Sequence, residues 1–479
     1  MTDDKLAQSA DYKEMLPYWE RVSTVMSGVE AMRAMSKVYL PRFPEEAQDS
    51  YDYRVNSSRL TDIFSDIIES LASKPFAREV GLADGAPEFF KKFIEDVDVA
   101  NNHLHLFAQQ VFFNGIAYAI DWIFVDYPVL TSASTLADER AADARPYFVR
   151  IPAKDVLEVR SDASGGRERV TYVRINESYF DDKQNLVQRV REFEKLDGNP
   201  TFSVWERAND EIEWTLVGDG VLSIPDIPIV PFYTGQRRLG SWTFTQPMKR
   251  VIDLQIEHYQ QETDLKLARQ QTAFPMLKGE GITPPKDSKG NPVKLPIGPG
   301  AVLYAPMNEQ GQHGSWGTLE PSTSSLQFLA AERDKTEQQM RELGRQPLTA
   351  GTSGITQVAA AFASQRASSA VQAWAYMLKD SLENALRFAA QWVRISYEPT
   401  VYINTDFAIE IGDDKAPELL FNMQKDGLIS RETLLREMKR RGILSEEVDE
   451  EAEALRLLSE AGQVEPGETP ITSGMVTNA

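Results

Sequence analysis

The sequence predicts an α+β protein that is mainly α, in which long helices accompany antiparallel β segments. Three stretches lack both Gly and Pro, namely residues 248–274, 326–343 and 355–398. At 1.5 Å per residue, helices over these stretches would be roughly 40, 30 and 65 Å long. Residues 145–233 differ, because apolar and polar side chains alternate there in four runs, as in half-buried strands.

Helical patterns fill residues 1–124. We expect residues 1–46 to be helical with loops, because apolar positions recur at helical spacing from residue 12 to residue 32. Residues 51–73 predict one further helix, and residues 87–124 predict two more, the second starting near Val99 and giving way to a buried strand. The apolar stripe of residues 51–73 follows the 3.6-residue period and consists of Val55, Leu60, Ile63, Phe64, Ile67, Ile68 and Leu71.

The alternating region predicts an antiparallel meander with one face in contact with water. Turn-forming residues separate its four runs, which span residues 169–175, 187–194, 201–206 and 212–217. The following segment, residues 224–231, contains three prolines, so we expect extended chain there and not a helix.

An excursion rich in Pro and Gly, residues 275–321, separates the first two long helices. Short strands are expected at residues 274–278, 301–305 and 317–320. The second long helix is polar on every side around residues 332–339, and such a helix bridges solvent, relies on side-chain pairs or is unstable alone. Two interpretations stay open: copies of the chain pack around these helices in a ring, or the helices form an exposed hairpin of a monomer.

Shorter elements follow the third long helix. Alternation predicts a strand at residues 400–411. Short helices are expected at residues 417–425, 431–441 and 446–461, with Gly427 ending the first and Ser430 capping the second. Residues 462–479 are polar and are predicted to be disordered.

Composition excludes several classes of protein. The chain of 479 residues contains no Cys, which rules out disulfides, thiol nucleophiles and Cys metal ligands. No apolar run approaches the ~20 residues of a membrane-spanning helix, and the first residues do not resemble a signal peptide. The 51 Lys and Arg against 72 Asp and Glu give a net charge of −21, which argues against a tight grip on nucleic acid but allows DNA to slide past.

Motifs for catalysis are missing from the sequence. Neither a Walker A signature nor a strand-linked GxGxxG occurs, and the four His are too scattered for a zinc site. Residues 351–354, Gly-Thr-Ser-Gly before a helix, could hold an anion through backbone N–H groups, but no Lys follows, which favours a plain loop. We therefore expect no enzyme, no cofactor and no metal.

The order of these elements resembles that of the portal proteins of tailed bacteriophages. Residues 38–46, Val-Tyr-Leu-Pro-Arg-Phe-Pro-Glu-Glu, resemble a stretch of one portal subgroup that was first catalogued as a domain of unknown function. Residues 227–232, and the helix start at residues 247–254, are similar to the same subgroup, while residues 426–433 resemble the C-terminal helices of many portals. The resemblance covers about residues 10 to 460 and rests on the order of the motifs.

The resemblance implies a portal-type ring subunit, usually one of twelve, at one vertex of a capsid. Residues 1–240 would form the wing, which becomes β-rich from about residue 145. The stem would consist of residues 241–274 and 322–344, with the clip between them at residues 275–321. The remaining segments would be a tunnel loop at 345–354, a long wing helix and strand at 355–414, crown helices at 415–461 and a disordered tail at 462–479.

The function that the resemblance implies is a channel for the packaging and ejection of double-stranded DNA, with ATP hydrolysis left to a separate terminase. Its partners would be other copies of the chain, the major capsid protein and scaffold, the terminase, a head–tail adaptor and the DNA, with no membrane. The protein would assemble in the host cytoplasm and reside in the virion. Residues near the DNA would be Arg341, Arg345, Gln346, Thr349, Thr352 and Ser353 at the tunnel loop, and Lys266, Arg269, Arg333 and Lys335 along the stem.

Alternatives remain for these assignments. A net charge of −21, repeated around a ring, predicts a negative channel, but the cations named above could simply form helix pairs such as Glu337 with Arg341. The chain could also be an oligomeric viral adaptor or structural protein that does not conduct DNA. A third possibility is an enzyme with an unrecognised site.

Overall fold

The computed structural model contains both helices and sheets, which confirms the α+β class, and helices hold more of the described residues than strands do. The chain divides into two compact units, Met1–Ala408 and Ile409–Ala479. The structure describes residues 4–83, 85–128, 144–164, 166, 168–208, 213–273, 276–281, 289–291, 313–319, 323–344, 357–405, 407, 416–425, 430, 433–435 and 438.

Helices make up the N-terminal part of the first unit. The helix expected from residue 12 to residue 32 is divided at Gly28, which has a φ of 85°, a conformation that glycine adopts at little cost. The apolar faces of these helices are buried in one continuous core. The helices are α1 (Ala10–Met26), α2 (Val29–Ala34), α3 (Ser36–Tyr39), α4 (Gln48–Asn56), α5 (Ile63–Ser73), α6 (Glu88–Phe93) and α7 (Leu104–Tyr118).

The single helix predicted over residues 51–73 is wrong, because the chain forms α4 and α5 with a turn and irregular chain between them. The side chain of Asp62 accepts a hydrogen bond from the N–H of Ser65 (2.9 Å) and so caps α5. The side-chain oxygen of Gln255 accepts hydrogen bonds from the N–H groups of Ile63 (3.0 Å) and Phe64 (2.9 Å). A residue 192 positions away from Ile63 therefore stabilises the break, and no local signal announces it.

The transition from an apolar helix to a buried strand is confirmed. Helix α7 ends at Tyr118 and is capped by Ala119, whose φ of 69° lies in the left-handed region, and strand β2 (Ile120–Asp126) follows directly. The helix begins at Leu104 and not near Val99, because His103 caps it by accepting a hydrogen bond from the N–H of His105 (3.2 Å).

Two antiparallel sheets follow. Within the described residues, β2 lies between β10 (Ile229–Tyr233) and β3 (Tyr147–Ile151) in one sheet. The predicted meander is confirmed as the main part of a second sheet with strand order β4-β5-β7-β8-β9, although its last strand begins later than expected and β3 and β4 were not predicted. These strands are β4 (Val156–Asp162), β5 (Arg169–Asn176), β6 (Tyr179–Phe180), which pairs with β7, β7 (Leu186–Glu194), β8 (Thr201–Ala208) and β9 (Thr215–Val221).

Three long helices lie in the second half of the first unit, as predicted: α8 (Lys249–Ala273), α9 (Thr323–Leu343) and α10 (Gln357–Trp392). The buried face of α10 packs on the three-stranded sheet. Its Trp374 indole N–H donates to the carbonyl oxygen of Thr234 (3.0 Å), and its Ser381 hydroxyl donates to that of Pro231 (3.0 Å). These bonds fix the helix to the end of β10.

The strand predicted over residues 400–411 is too long. Strand β13 (Val401–Tyr402) pairs with β1 (Gly81–Leu82), and residues 403–405 are not in a strand, because β1 offers only two residues for pairing. Residues 406 and 408–411 lie outside the described residues.

The second unit contains α11 (Ala416–Lys425), which confirms the first predicted short helix. The Ser430 hydroxyl accepts a hydrogen bond from the N–H of Thr433 (3.0 Å), so the predicted cap is confirmed too. Gly427 and residues 446–479 lie outside the described residues. In the part of the chain that the structure describes, no helix is long and apolar enough to span a membrane.

Candidate functional site

Helices α8 and α9 form a hairpin that carries the candidate stem residues. The two helices pack against each other, and strands β11 (Met276–Glu280) and β12 (Ser315–Leu319) pair antiparallel, with Met276 opposite Leu319. Two of the three short strands predicted here are thus confirmed within about two residues, within the usual uncertainty of strand ends. The third, at residues 301–305, lies outside the described residues.

Helix α8 is covered by its own chain. Tyr259 donates a hydrogen bond to the hydroxyl of Ser58 (2.9 Å), and the side-chain amide of Gln260 donates to the carbonyl oxygen of Tyr39 (2.8 Å). The Glu262 carboxylate accepts from the hydroxyl of Thr61 (2.9 Å). Of the two open interpretations, packing by other copies is therefore not needed to cover α8, because its polar side chains bond to α3 and to the segment between α4 and α5 of its own chain.

The Arg54 side chain bonds to the segment that resembles portals, residues 38–46. It is only 1% exposed, and its guanidinium donates two hydrogen bonds to the Glu46 carboxylate, 3.0 and 2.8 Å long. A third bond reaches the carbonyl oxygen of Pro41 (2.9 Å), and the ring of Phe43 lies 4.0 Å from the guanidinium. Arg54 lowers the pKa of Glu46 by hydrogen bonding to its carboxylate. Residues 41–46 are thus held in one conformation by a residue that the sequence motif does not include.

Helix α9 has one covered side and one exposed side. Thr336, Met340 and Gly344 are buried, and the guanidinium of Arg341 lies 2.9 Å from the Asp66 carboxylate of α5 and 3.1 Å from that of Glu337. The predicted pairing of Glu337 with Arg341 is confirmed. A different side of the helix exposes 64% of Phe328, whereas Leu329, which is 36% exposed, lies in line with Thr336 and Met340.

His258 lies between the two helices and is 2% exposed. Neither ring nitrogen has a hydrogen-bond partner among the described residues. Burial lowers the pKa of this imidazole, although the nearby carboxylates of Glu262 and Glu337 act in the opposite direction. Its position could not be inferred from the sequence, where it stands as an isolated His in a polar helix.

The candidate stem cations are not brought together into one cluster. Lys266 donates to the carbonyl oxygen of Ser57 (2.7 Å) and so faces its own chain, and Arg333 pairs with its neighbour Asp334. Arg269 and Lys335 are exposed. Of the candidate tunnel-loop residues only Arg341 is described, while Arg345, Gln346, Thr349, Thr352 and Ser353 lie outside the described residues.

The hairpin helices are close to neutral. Helix α8 contains four Lys or Arg and four Asp or Glu, and α9 contains three and four. Residues 409–479 alone contain sixteen acidic and eight basic residues. The net charge of −21 therefore gives no reason to expect a strongly negative surface on these two helices. Within the described ranges, no group of three or more His, Asp or Glu could hold a metal ion.

Comparisons with known proteins single out the same part of the chain. A family model described as Domain of unknown function (DUF4055) matches residues 247–393, which extend from α8 to the end of α10. No curated protein matches the chain.

Three solved structures are similar to the chain at 10–11% sequence identity. The first is described as the neck of a native GTA particle computed with C12 symmetry, with a TM-score of 0.43 over 78% of this chain and 88% of that one. The second, the neck of an empty GTA particle computed with C6 symmetry, has a TM-score of 0.44 over 84% and 96%. The third, the virion of a native gene transfer agent (GTA) particle, has a TM-score of 0.43 over 88% and 97%.

Proposed function

We propose that the chain is a portal protein of a tailed bacteriophage or a related particle. Copies of the chain form a ring at one capsid vertex, and double-stranded DNA passes through the ring during packaging and ejection. Twelve copies are the number usual in the resembled family. The observation that carries the proposal is the order helix, antiparallel strand pair, helix and long helix from α8 to α10, within the segment matched by the family model.

The segments have the following roles in this proposal. Residues 1–240 and α10 form the wing, α8 and α9 the stem, and residues 275–321 the clip that contacts first the terminase and then the head–tail adaptor. Residues 345–354 form the tunnel loop beside the DNA, and residues 415–461 the crown. The protein is structural and has no enzymatic role, because packaging energy comes from the terminase.

The packing of the hairpin supports a fixed stem. Helix α8 is held by the N-terminal helices through Tyr259, Gln260 and Glu262, and α9 is held at its end by the pairing of Arg341 with Asp66. Helix α10, which follows the proposed tunnel loop, is itself fixed to β10 and the residue after it through Trp374 and Ser381.

Negative-stain images of the purified chain test the proposal. A portal gives rings with an open central channel wide enough for duplex DNA. A ring without such a channel favours the alternative, an oligomeric adaptor that does not conduct DNA. Particles of monomer size would overturn both.

The tunnel loop has its own test within this proposal. Deletion of residues 349–353 should leave the rings intact and impair the packaging or retention of DNA. The matched control is a deletion of equal length in the polar C-terminal segment, residues 470–474. Normal genome retention with intact rings would remove the role of the loop.

A further inference from the structure

We propose that the exposed side of α9 in one copy packs against a surface of α2, α3 and α4 in the neighbouring copy. This inference rests on the proposed function, because it identifies the contact between copies of the ring. We call the first surface the α9 outer face, defined by Phe328, Glu332 and Lys335. We call the second the N-terminal patch, defined by Met35, Val38, Phe43 and Tyr53.

The N-terminal patch exposes four large apolar side chains, each between 45% and 62% accessible. Its conformation is fixed, because Arg54 holds Glu46 and the Glu46 carboxylate accepts a hydrogen bond from the N–H of Phe43 (3.0 Å). Tyr53 is positioned by its hydroxyl, which donates to the side-chain oxygen of Gln270 (3.2 Å). Four large apolar side chains exposed on neighbouring elements are the kind of surface that a protein partner covers.

Charged residues around the two surfaces are complementary. On α9, Phe328, Glu332 and Lys335 follow at steps of four and three residues, so they lie along one side of the helix. The exposed basic residues Lys37 and Arg42 directly precede Val38 and Phe43 of the N-terminal patch in sequence, and the exposed acidic residues Asp49 and Asp52 precede Tyr53. An apolar contact between these surfaces is flanked by one acid–base pair of each polarity, Glu332 with a basic residue and Lys335 with an acidic one.

The two surfaces lie on different sides of α8. Gln260 contacts Tyr39 of α3, whereas His258 lies beside the charged groups of Arg333 and Glu337 on α9. Two residues of separation on a helix turn the side chain by about 200°, so these contacts point in nearly opposite directions. A contact between two different surfaces of identical chains is heterologous, and heterologous contacts close into rings when the rotation allows it.

Helix α9 itself gives a reason for this contact. A helix that is polar on every side is unstable alone unless other contacts support it, and its exposed Phe328 would be removed from water at the neighbouring patch. Helix α8 is covered by its own chain, so it requires no such contact with another copy. Of the interpretation in which other copies pack around both helices, only the contact with one side of α9 therefore remains.

Cross-linking between copies tests the contact, and the chain suits this test because it contains no Cys. In the double variant Val38→Cys with Phe328→Cys, a flexible bismaleimide should link each copy to the next and give a ladder from dimer upward. A mixture of the two single variants should stop at dimers, and each single variant alone should give none. The matched control is Leu196→Cys with Phe328→Cys, because Leu196 is 81% exposed and lies outside the patch; it should give no ladder.

Charge exchange provides a second readout. Lys37→Glu and Glu332→Lys should each reduce the fraction of chain in rings, and their combination should restore it. Rings in negative stain without a ladder would overturn this contact and leave the portal proposal standing, with the patch open to another protein of the particle. A ladder in the Leu196 control as strong as in the Val38 variant would also overturn it. Absence of rings would overturn the proposed function together with this contact.

Discussion

The guanidinium of Arg54 and the carboxylate of Glu46 form a buried ion pair with two hydrogen bonds, 3.0 and 2.8 Å long. The pair connects α4 to the segment of residues 41–46, and Asp264 of α8 lies 3.8 Å from the same guanidinium. Arg54 therefore joins the motif that resembles portals, the N-terminal helices and the candidate stem in one contact.

Replacement of Arg54 by Ala should lower the free energy of unfolding by about 3–5 kcal/mol, because Glu46 would be left without its partner in a largely buried site. The matched control is Arg160→Ala, whose ion pair with Glu158 involves a side chain that is 61% exposed. That change should cost no more than about 1 kcal/mol. Urea unfolding followed by circular dichroism measures both. Equal effects of the two substitutions would contradict a structural role of Arg54.

Asp121 should make stability depend on pH. Burial raises the pKa of its carboxyl to about 8, against the opposing effect of Arg150, whose guanidinium lies 3.4 Å away. The unfolded chain has an Asp pKa of about 3.9, so between roughly pH 4 and pH 8 the folded state binds more protons. The contribution of Asp121 to the stability of the fold is therefore fully present below the unfolded pKa. It is lost as the pH rises toward the folded pKa, by up to about 1.4 kcal/mol per pH unit.

Urea unfolding of the Asp121→Asn variant at pH 5 and pH 8 measures this contribution. The variant should lose much of the fall in stability that the parent shows between the two values. Asp162→Asn, which changes a carboxylate at the surface, should retain that fall. An unchanged pH dependence in Asp121→Asn would show that another group is responsible.

Gly344 should not tolerate a side chain. A Cβ atom there would lie 2.6 and 2.9 Å from two methyl carbons of Ile67 and 3.0 Å from the carbonyl oxygen of Met340. Gly344→Ala should therefore separate the end of α9 from α5 and cost about 1–3 kcal/mol, as overpacking commonly does. Gly317→Ala on β12 is the control, since no atom lies within 4 Å of its Cβ position.

Hydrogen exchange of α9 and urea unfolding report the effect at Gly344. Addition of Ile67→Ala to Gly344→Ala should recover part of the α9 protection by removing the opposing methyl groups. Unchanged protection of α9 in Gly344→Ala alone would mean that the chain accommodates the side chain and that the close approach is dispensable.

Duplex DNA should bind the ring weakly. Basic residues form no run longer than the three at 439–441, and the described hairpin helices are nearly neutral. We expect binding weaker than that of typical non-specific binders, whose dissociation constants are roughly 10⁻⁴–10⁻⁶ M at physiological salt. Fluorescence anisotropy across a salt series measures it. A tight complex with a steep salt slope would indicate a basic channel and would contradict passage without a grip.

The elements that could be predicted are those specified by their own stretch of sequence. The absence of Gly and Pro marked α8, α9 and α10, alternation marked the meander, and the side chain of Ser430 marked a cap that the structure contains. The pairing of Glu337 with Arg341 could be predicted because a spacing of four residues places both on one side of a helix.

The features that could not be predicted depend on contacts between residues far apart in the sequence. The break between α4 and α5 depends on Gln255, and the cover of α8 depends on Ser58 and Tyr39, far away in sequence. Arg54 and His258 gain their significance from neighbours on other elements, so neither stood out in the sequence. The length of β13 was overestimated because alternation does not reveal how short its partner strand is.

The mass of the purified chain in solution tests the central claim most directly. Light scattering coupled to size exclusion at micromolar concentration should give a single species of several hundred kilodaltons, because the account requires a closed ring of many copies of a 53.9 kDa chain. A monodisperse 53.9 kDa monomer whose α8 and α9 remain protected from hydrogen exchange would contradict it.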